Sequence, residues 1–323
     1  MRRPVRCDPR RGDGYWNMTL TFCRIFHTIV QQGNFIKAAE VLHMTPSAIS
    51  HAVSDAERQV GFKLFSRTRG GVVMTEYGKE LYGAILQLLN GEEALQQTID
   101  QLNGLERGTV RLGIFNSVCT NWMPDILERF GARYPGIKID LYEGGYDDVI
   151  GWIKNGVVDF GFLSTSCTSD LPVEPLYQDP LICIVQPDFQ TARPGYITID
   201  EMRDQSFVIQ REGSDADVQL LFRKYGLKFH ASYHLLDDTS IMAMVACGRG
   251  ISVMATLTAK GLEGDLKVLR LLPQECRSIG LSTLDKKRLS PAARELYETI
   301  AVFARDLEEQ RVREERAAGV LLA

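Results

Sequence analysis

One helical face in the first quarter of the chain could read a nucleic acid. Ser47, His51, Ser54 and Arg58 recur at steps of three and four, flanked by Ser50, while Ile49, Val53, Ala56 and Val60 form the opposite, apolar stripe. Small outward side chains let a backbone approach the major groove, and Ser and His can hydrogen-bond base edges or phosphates. Thr45 is placed to cap this helix, and Pro46 suits its first turn, where a missing N–H costs nothing. An ordinary solvated face of a helical bundle has the same pattern, so both readings stand on these residues alone. The following segment favours the first. Phe62–Arg67 and Val72–Met74 read as short strands around Thr68-Arg69-Gly70-Gly71, a wing whose Arg67 and Arg69 would meet phosphates.

A second set of polar residues lies later in the chain, each just after a predicted strand or at a helix start. Ser117 follows Val110–Ile114. Ser164, Thr165 and Ser166 follow Asp159–Leu163, and Gln210 and Glu212 follow Phe207–Ile209. Thr239 and Ser240 open a helix carrying Ile241–Cys247. In an open α/β sheet the carboxyl ends of strands form the ligand crevice, where helix N-termini offer free N–H groups. Any one of these residues alone is as well explained as a helix cap. Together they mark a candidate cleft for a small molecule.

Other chemistry finds little support. The seven cysteines are Cys7, Cys23, Cys119, Cys167, Cys183, Cys247 and Cys276. None forms a CxxC pair or has a histidine at ligand spacing, so no metal site, disulfide framework or cofactor is expected. Cys119 and Cys167 are placed in loops after strands. There is no G-x-S-x-G, no nucleotide fingerprint and no metal triad, and the cleft acids Glu143 and Glu212 have no identifiable catalytic partner; an enzyme is not expected. A transport-type solute-binding protein would leave residues 20–75 unexplained.

The elements that would position these residues follow from periodicity. Phe22, Cys23, Phe26, Ile29 and Val30 mark a first helix ended by Gly33. Asn34 caps a second, which carries Ala38, Ala39, Val41 and Leu42. With the helix from Thr45 and the wing, this makes a winged helix-turn-helix over 18–75. Over 76–107 a long linker helix and hinge are expected. Leu81, Ile85, Leu88, Leu95, Ile99 and Leu102 form a heptad seam for self-association, broken once by Glu92. Beyond it, strands alternate with helices in an α/β body with a parallel sheet covered on both faces. From Ser290-Pro291 a last helix runs into a charged tail over 304–323.

The chain has 323 residues and a net charge of −4, which masks an asymmetry. Residues 1–80 hold 12 Lys/Arg against 7 Asp/Glu, and the remainder holds 25 against 34. A basic head on an acidic body suits DNA at one end only. No run of about 18 apolar residues suggests a membrane span, and no signal peptide is read at the N-terminus, so a cytoplasmic protein is expected. Residues 1–17, rich in Arg, Gly and Pro, are expected to be a disordered extension. They are either a basic arm adding sequence-independent DNA affinity or sequence upstream of a start at Met18.

The stretch FHTIVQQGNFIKAAEVLHMTPSAISHAVSDAERQVGFKLFSRTRGGVVMTEYG from Phe26 carries, in order, F, A-A-x-x-L, S-A-I-S, E-x-x-x-G, L-F-x-R and T-x-x-G. It resembles the DNA-binding domain of the LysR-type transcriptional regulators. VRLGI, YPGIKIDL, GVVDFGFL and DDTSIMAMVACGRGIS resemble that family's effector-binding domain, so the resemblance runs from Met18 to about Phe303. It implies that the helix from Thr45 reads double-stranded DNA, that Lys37, Arg67 and Arg69 hold phosphates, and that the protein pairs through the linker helix as a dimer or tetramer. It also implies a periplasmic-binding-protein-like body. One lobe would take about 108–180 and 270–303, the other about 181–269, with a small-molecule effector between them. Pro46 stands where many members have a base-contacting Gln, Ala56 where Leu is common, and Val73 where a wing Arg is frequent. Members that sense peroxide carry a reactive cysteine in the second lobe; Gln205–Asp217 here has none.

Overall fold

The structure, a computed structural model, describes residues 18–103, 106–167, 169–210, 216–227, 231–235, 237–260 and 265–317. The proposed extension 1–17, Glu212 and the end of the tail lie outside them. The chain divides into two compact units, one reaching Ile99 and taking in Lys154–Val157, the other formed by Asp100–Ile153 and the chain from Val158.

The head opens with α1 (Leu20–Gln32), α2 (Phe35–Val41) and α3 (Pro46–Val60), followed by the hairpin β1 (Phe65–Thr68) and β2 (Gly71–Met74) and then the long α4 (Glu76–Leu102). Each short helix has a side-chain cap. Thr19 Oγ1 accepts the Phe22 N–H, Asn34 Oδ1 that of Ile36, and Thr45 Oγ1 that of Ala48. Gly33 and Gly61 end α1 and α3 in the left-handed conformation that favours glycine. Ala38 and Ala39 are buried between the helices, with Phe26, Ile29, Ile49, Val53 and Leu64 around them.

The wing begins at Phe65, three residues later than expected. The buried Glu57 explains the delay: its Oε1 accepts the N–H of Leu64 at 2.9 Å and of Phe65 at 3.4 Å, taking groups a longer strand would have paired. The hairpin is also tied to the end of α1, since Val72 donates its N–H to Gly33 O at 2.8 Å. A Cβ at Gly71 would lie 2.5 Å from that same oxygen, so only glycine fits.

Two positions of the stripe expected as a seam on α4 pack inward instead. Ile85 is fully buried in the head core, and Leu81 packs against that core. The Tyr82 ring stacks on Phe26 with centroids 5.9 Å apart, and its hydroxyl lies 2.9 Å from His27 Nδ1. Glu92, the break in the repeat, forms an ion pair with Arg24 of α1. A small three-helix head cannot close its core alone, and the first turns of α4 supply the missing side. Leu88, Leu95, Ile99 and Leu102 remain exposed on the chain.

The body begins with β3 (Gly108–Ile114), α5 (Asn116–Asn121), α6 (Met123–Arg133), β4 (Ile137–Glu143), α7 (Tyr146–Lys154) and β5 (Phe160–Ser164). These strands pair in parallel in the order β4-β3-β5. Next comes β6 (Val173–Val185), a 13-residue strand whose two halves serve different sheets. Then follow β7 (Tyr196–Thr198), α8 (Ile199–Arg203), β8 (Phe207–Gln210), α9 (Ala216–Tyr225), β9 (Ala231–Leu235), α10 (Asp238–Ala246), β10 (Ser252–Ala255), α11 (Thr256–Ala259) and β11 (Lys267–Leu272). β12 (Cys276–Ser282) returns to the first sheet, and α12 (Pro291–Ala317) closes the chain as one helix that includes the described part of the charged tail.

The sheet is mixed rather than purely parallel. β12 runs antiparallel to both β5 and β6, and β10 and β11 run antiparallel to β6. The cause is topological: β6 leaves the first lobe and β12 comes back, so the two crossing strands point in opposite directions. β11 pairs with β6 as far as Arg270 and with β7 as far as Leu272, within the second sheet. In the second lobe α9 packs over Leu181, Cys183 and Leu269 on one face, while α10 packs over Ile182, Ile184 and Met254 on the other.

Candidate functional site

On the head, α3 buries Ile49, Val53 and Ala56 and exposes Thr45, Pro46, Ser47, His51, Ser54 and Arg58 at its start and along its outer face; Ser50 is half-buried. Ser47 Oγ lies 3.0 Å from Thr45 Oγ1, so the capping residue orders the first serine. Arg58 pairs with Asp55 at 2.9 Å, an exposed pair that water screens. Lys37 on α2 and Arg67 and Arg69 on the wing are exposed. Arg67 also lies over the Phe35 ring, 5.8 Å from its centroid, which limits where its guanidinium can swing. Glu57 is the head residue whose role spacing could not show. Its buried carboxylate holds the wing root through two N–H groups and takes Lys63 as counter-ion at 2.5 Å, locking the wing to α3.

The body contains a cleft of about 600 Å³ between its lobes. Of the residues expected there, Ser117, Gln210 and Thr239 line it. Ser164 does not; it is fully buried one hydrogen bond behind, donating Oγ to Asp217 Oδ1 at 2.6 Å. Ser166 braces that serine through its N–H at 3.1 Å, and Thr165 is exposed on its turn, its N–H given to Ser278 O. Ser240 serves its own helix start, where its N–H and Oγ both go to Asp237. None of these four lines the cleft: a strand end or helix start can turn its side chains into the fold as readily as into a crevice.

The floor of the cleft is an ionic network on residues the sequence reading did not single out. Arg277 on β12, 7% exposed, donates Nη2 to Asp179 Oδ2 at 2.6 Å and to Ser117 Oγ at 3.0 Å, with its guanidinium 5.1 Å from the Phe115 centroid. Asp179 Oδ1 accepts the Leu257 N–H at 3.0 Å. Burial pushes the Asp179 carboxyl up more than Arg277 and that N–H bring it down. Arg277 is held charged, its burial outweighed by the groups around it. Beside it, the Tyr146 hydroxyl donates to Asp217 Oδ2 at 3.1 Å, and burial pushes that phenol well above its ordinary range, keeping it a donor. Asn121 spans the lobes as well, giving Nδ2 to Ser117 O and to Leu257 O.

Burial raises the thiols of several of the described cysteines. Cys119 lies in α5, not in a loop, and burial raises its thiol. Burial pushes Cys167 up to about 12. No group of His, Cys, Asp or Glu among the described residues could hold a metal ion, and no described helix is long and apolar enough to cross a membrane.

Residues 20–79 match the model of the bacterial regulatory helix-turn-helix proteins of the lysR family, and residues 103–304 match the LysR substrate binding domain. The chain is 28% identical over 280 residues to the uncharacterized HTH-type transcriptional regulator YvbU of Bacillus subtilis, covering 86% of this chain and 96% of that one. Among solved structures it resembles a full-length OxyR variant from Pseudomonas aeruginosa, with a TM-score of 0.71 at 20% identity over 90% of this chain and 98% of that one. It also resembles full-length CbnR complexed with its target DNA, with a TM-score of 0.62 at 17% identity over 87% and 98% of the two chains. With both family models together spanning most of its length, the chain belongs to the LysR family of DNA-binding transcriptional regulators.

Proposed function

We propose that α3 and the wing are the operator-reading surface and that a small molecule in the lobe cleft alters how a dimer or tetramer holds that operator. The observation that carries this is the division of α3, apolar inward and Ser47, His51, Ser54 and Arg58 outward, with cationic Arg67 and Arg69 on the adjoining wing. Serine and histidine supply hydrogen bonds to base edges, and the arginines and Lys37 supply phosphate contacts that set register. Ser117, Gln210 and Thr239 are the effector contacts carried forward from sequence. Arg277, Tyr146 and Asp217 hold the cleft in shape around them.

The effector acts only if it binds one lobe arrangement better than another. β6 and β12 are the strands on which such a change would turn. A regulator whose partner is double-stranded DNA works in the bacterial cytoplasm. The test is a gel shift of the full chain against the DNA upstream of its own gene, with unrelated DNA as competitor. Specific retardation that survives excess competitor supports the reading, and retardation equal on both DNAs overturns it.

A further inference from the structure

We infer that the effector of this cleft carries a cation, as a small amine or guanidine. The inference rests on reading the cleft as the effector site and names the chemistry of its occupant.

Four of the described lining residues are acids: Glu143, Asp217, Asp237 and Asp238. The two described basic residues in the lining are Lys260 and Arg277. Arg277 is matched by Asp179 immediately behind it, which leaves the exposed Lys260 facing the four carboxylates. A cleft walled by protein weakens charge interactions less than open water does, so this excess attracts cations and repels anions.

The place where an anionic effector would be expected to sit is already filled. The N-terminus of α10 borders the cleft, and its free N–H groups would favour a ligand carboxylate. Here Asp237 supplies that carboxylate itself, accepting the Ser240 N–H at 2.9 Å and the Ser240 hydroxyl at 2.5 Å. Asp238, the next residue, receives the Gln210 amide but no cation in direct contact. Burial pushes its carboxyl up, with the Gln210 bond and the more distant charge of Arg277 opposing. A ligand ammonium or guanidinium beside Asp238 supplies the missing counter-charge.

Thermal unfolding of the full-length chain tests this with two probe sets. L-lysine, L-arginine and ethanolamine each carry a cation; succinate and glutarate carry carboxylates alone. At least one of the first set is expected to raise Tm in a saturable way, and neither dicarboxylate is. Asp238→Asn keeps the size and one acceptor of the side chain and is expected to weaken the responding probe by about ten- to hundredfold. Glu143→Gln provides a second reading should Asp238→Asn alter the melting of the probe-free protein. Stabilisation by the dicarboxylates, no response to the amines, or an amine response unchanged in both variants each overturns the inference. A gel shift on the same preparation separates the two levels: specific DNA binding with no amine response removes the ligand class and leaves the regulator reading intact.

Discussion

Tyr146 and Asp217 meet across the two lobes, the phenol of α7 donating to the carboxyl of α9 at 3.1 Å. Ser164 at the end of β5 reaches the same carboxyl at 2.6 Å, so two groups of the first lobe hold one acid of the second. Ser164→Ala removes a donor from a carboxyl that is only 5% exposed. The expected loss is about 1–3 kcal/mol of stability. Urea unfolding of wild type and variant measures it; an unchanged midpoint at equal slope would show that the bridge does not hold the lobes.

Arg277 and Asp179 form a buried ion pair, and breaking one side leaves the other charge stranded. Arg277→Met is expected to cost about 3–5 kcal/mol, and adding Asp179→Leu to recover much of it. The deficit should also depend on pH. Burial already raises the Asp179 carboxyl, and removing Arg277 raises it further. A carboxyl whose folded pKa lies above its unfolded value favours folding when protonated, and that advantage is lost as pH rises through the folded pKa. Melting of Arg277→Met from pH 4 to 8 should therefore show a deficit that grows with pH, and a deficit independent of pH would count against the account.

On the head, His51→Ala and Ser54→Ala are expected to change operator preference by about 1–3 kcal/mol where a base contact is lost. Arg67→Ala and Arg69→Ala should instead weaken binding to every sequence and flatten its dependence on salt. Competition gel shifts at several salt concentrations separate the two behaviours, and four variants indistinguishable from wild type would remove the assignment.

The two ends of α4 should respond differently to charge. Leu88→Lys with Leu95→Lys is expected to disrupt self-association while leaving the head folded, because both side chains are exposed on the single chain. Ile85→Lys should unfold the head, since Ile85 is fully buried there. Light scattering and circular dichroism read the two outcomes; wild-type association in the double variant would place the seam elsewhere.

Cys167 should be chemically quiet. With burial pushing its thiol to about 12, almost no thiolate exists at pH 8. Iodoacetamide followed by peptide mass mapping should label it slowly in the native protein and quickly in urea. Rapid native labelling at this position would refute the burial.

The head was legible in the sequence because its signals are local. Caps at Thr45 and Asn34, the stripe of Ile49 and Val53, and glycines at helix ends act within a few residues, and the structure keeps each of them. Ser117, Gln210 and Thr239 were legible for a related reason: strand end and helix start follow one another in the chain. The spacing of leucines on α4 revealed an apolar stripe but not which part the head would claim, since that depends on the room left by α1 to α3. The cleft floor was decided by tertiary structure alone. β6 contains Pro175 and Pro180, which argue against a strand, yet both fall in the half paired with β12 alone, where a missing N–H on the other side costs no ladder bond. On β12 the alternation of Arg277, Ile279 and Leu281 with Cys276, Ser278 and Gly280 gave no sign that the arginine is buried. Its burial is tolerable only because Asp179, 98 residues away, lies within hydrogen-bonding distance, and a charge pair across such a separation leaves no periodic trace in a single chain.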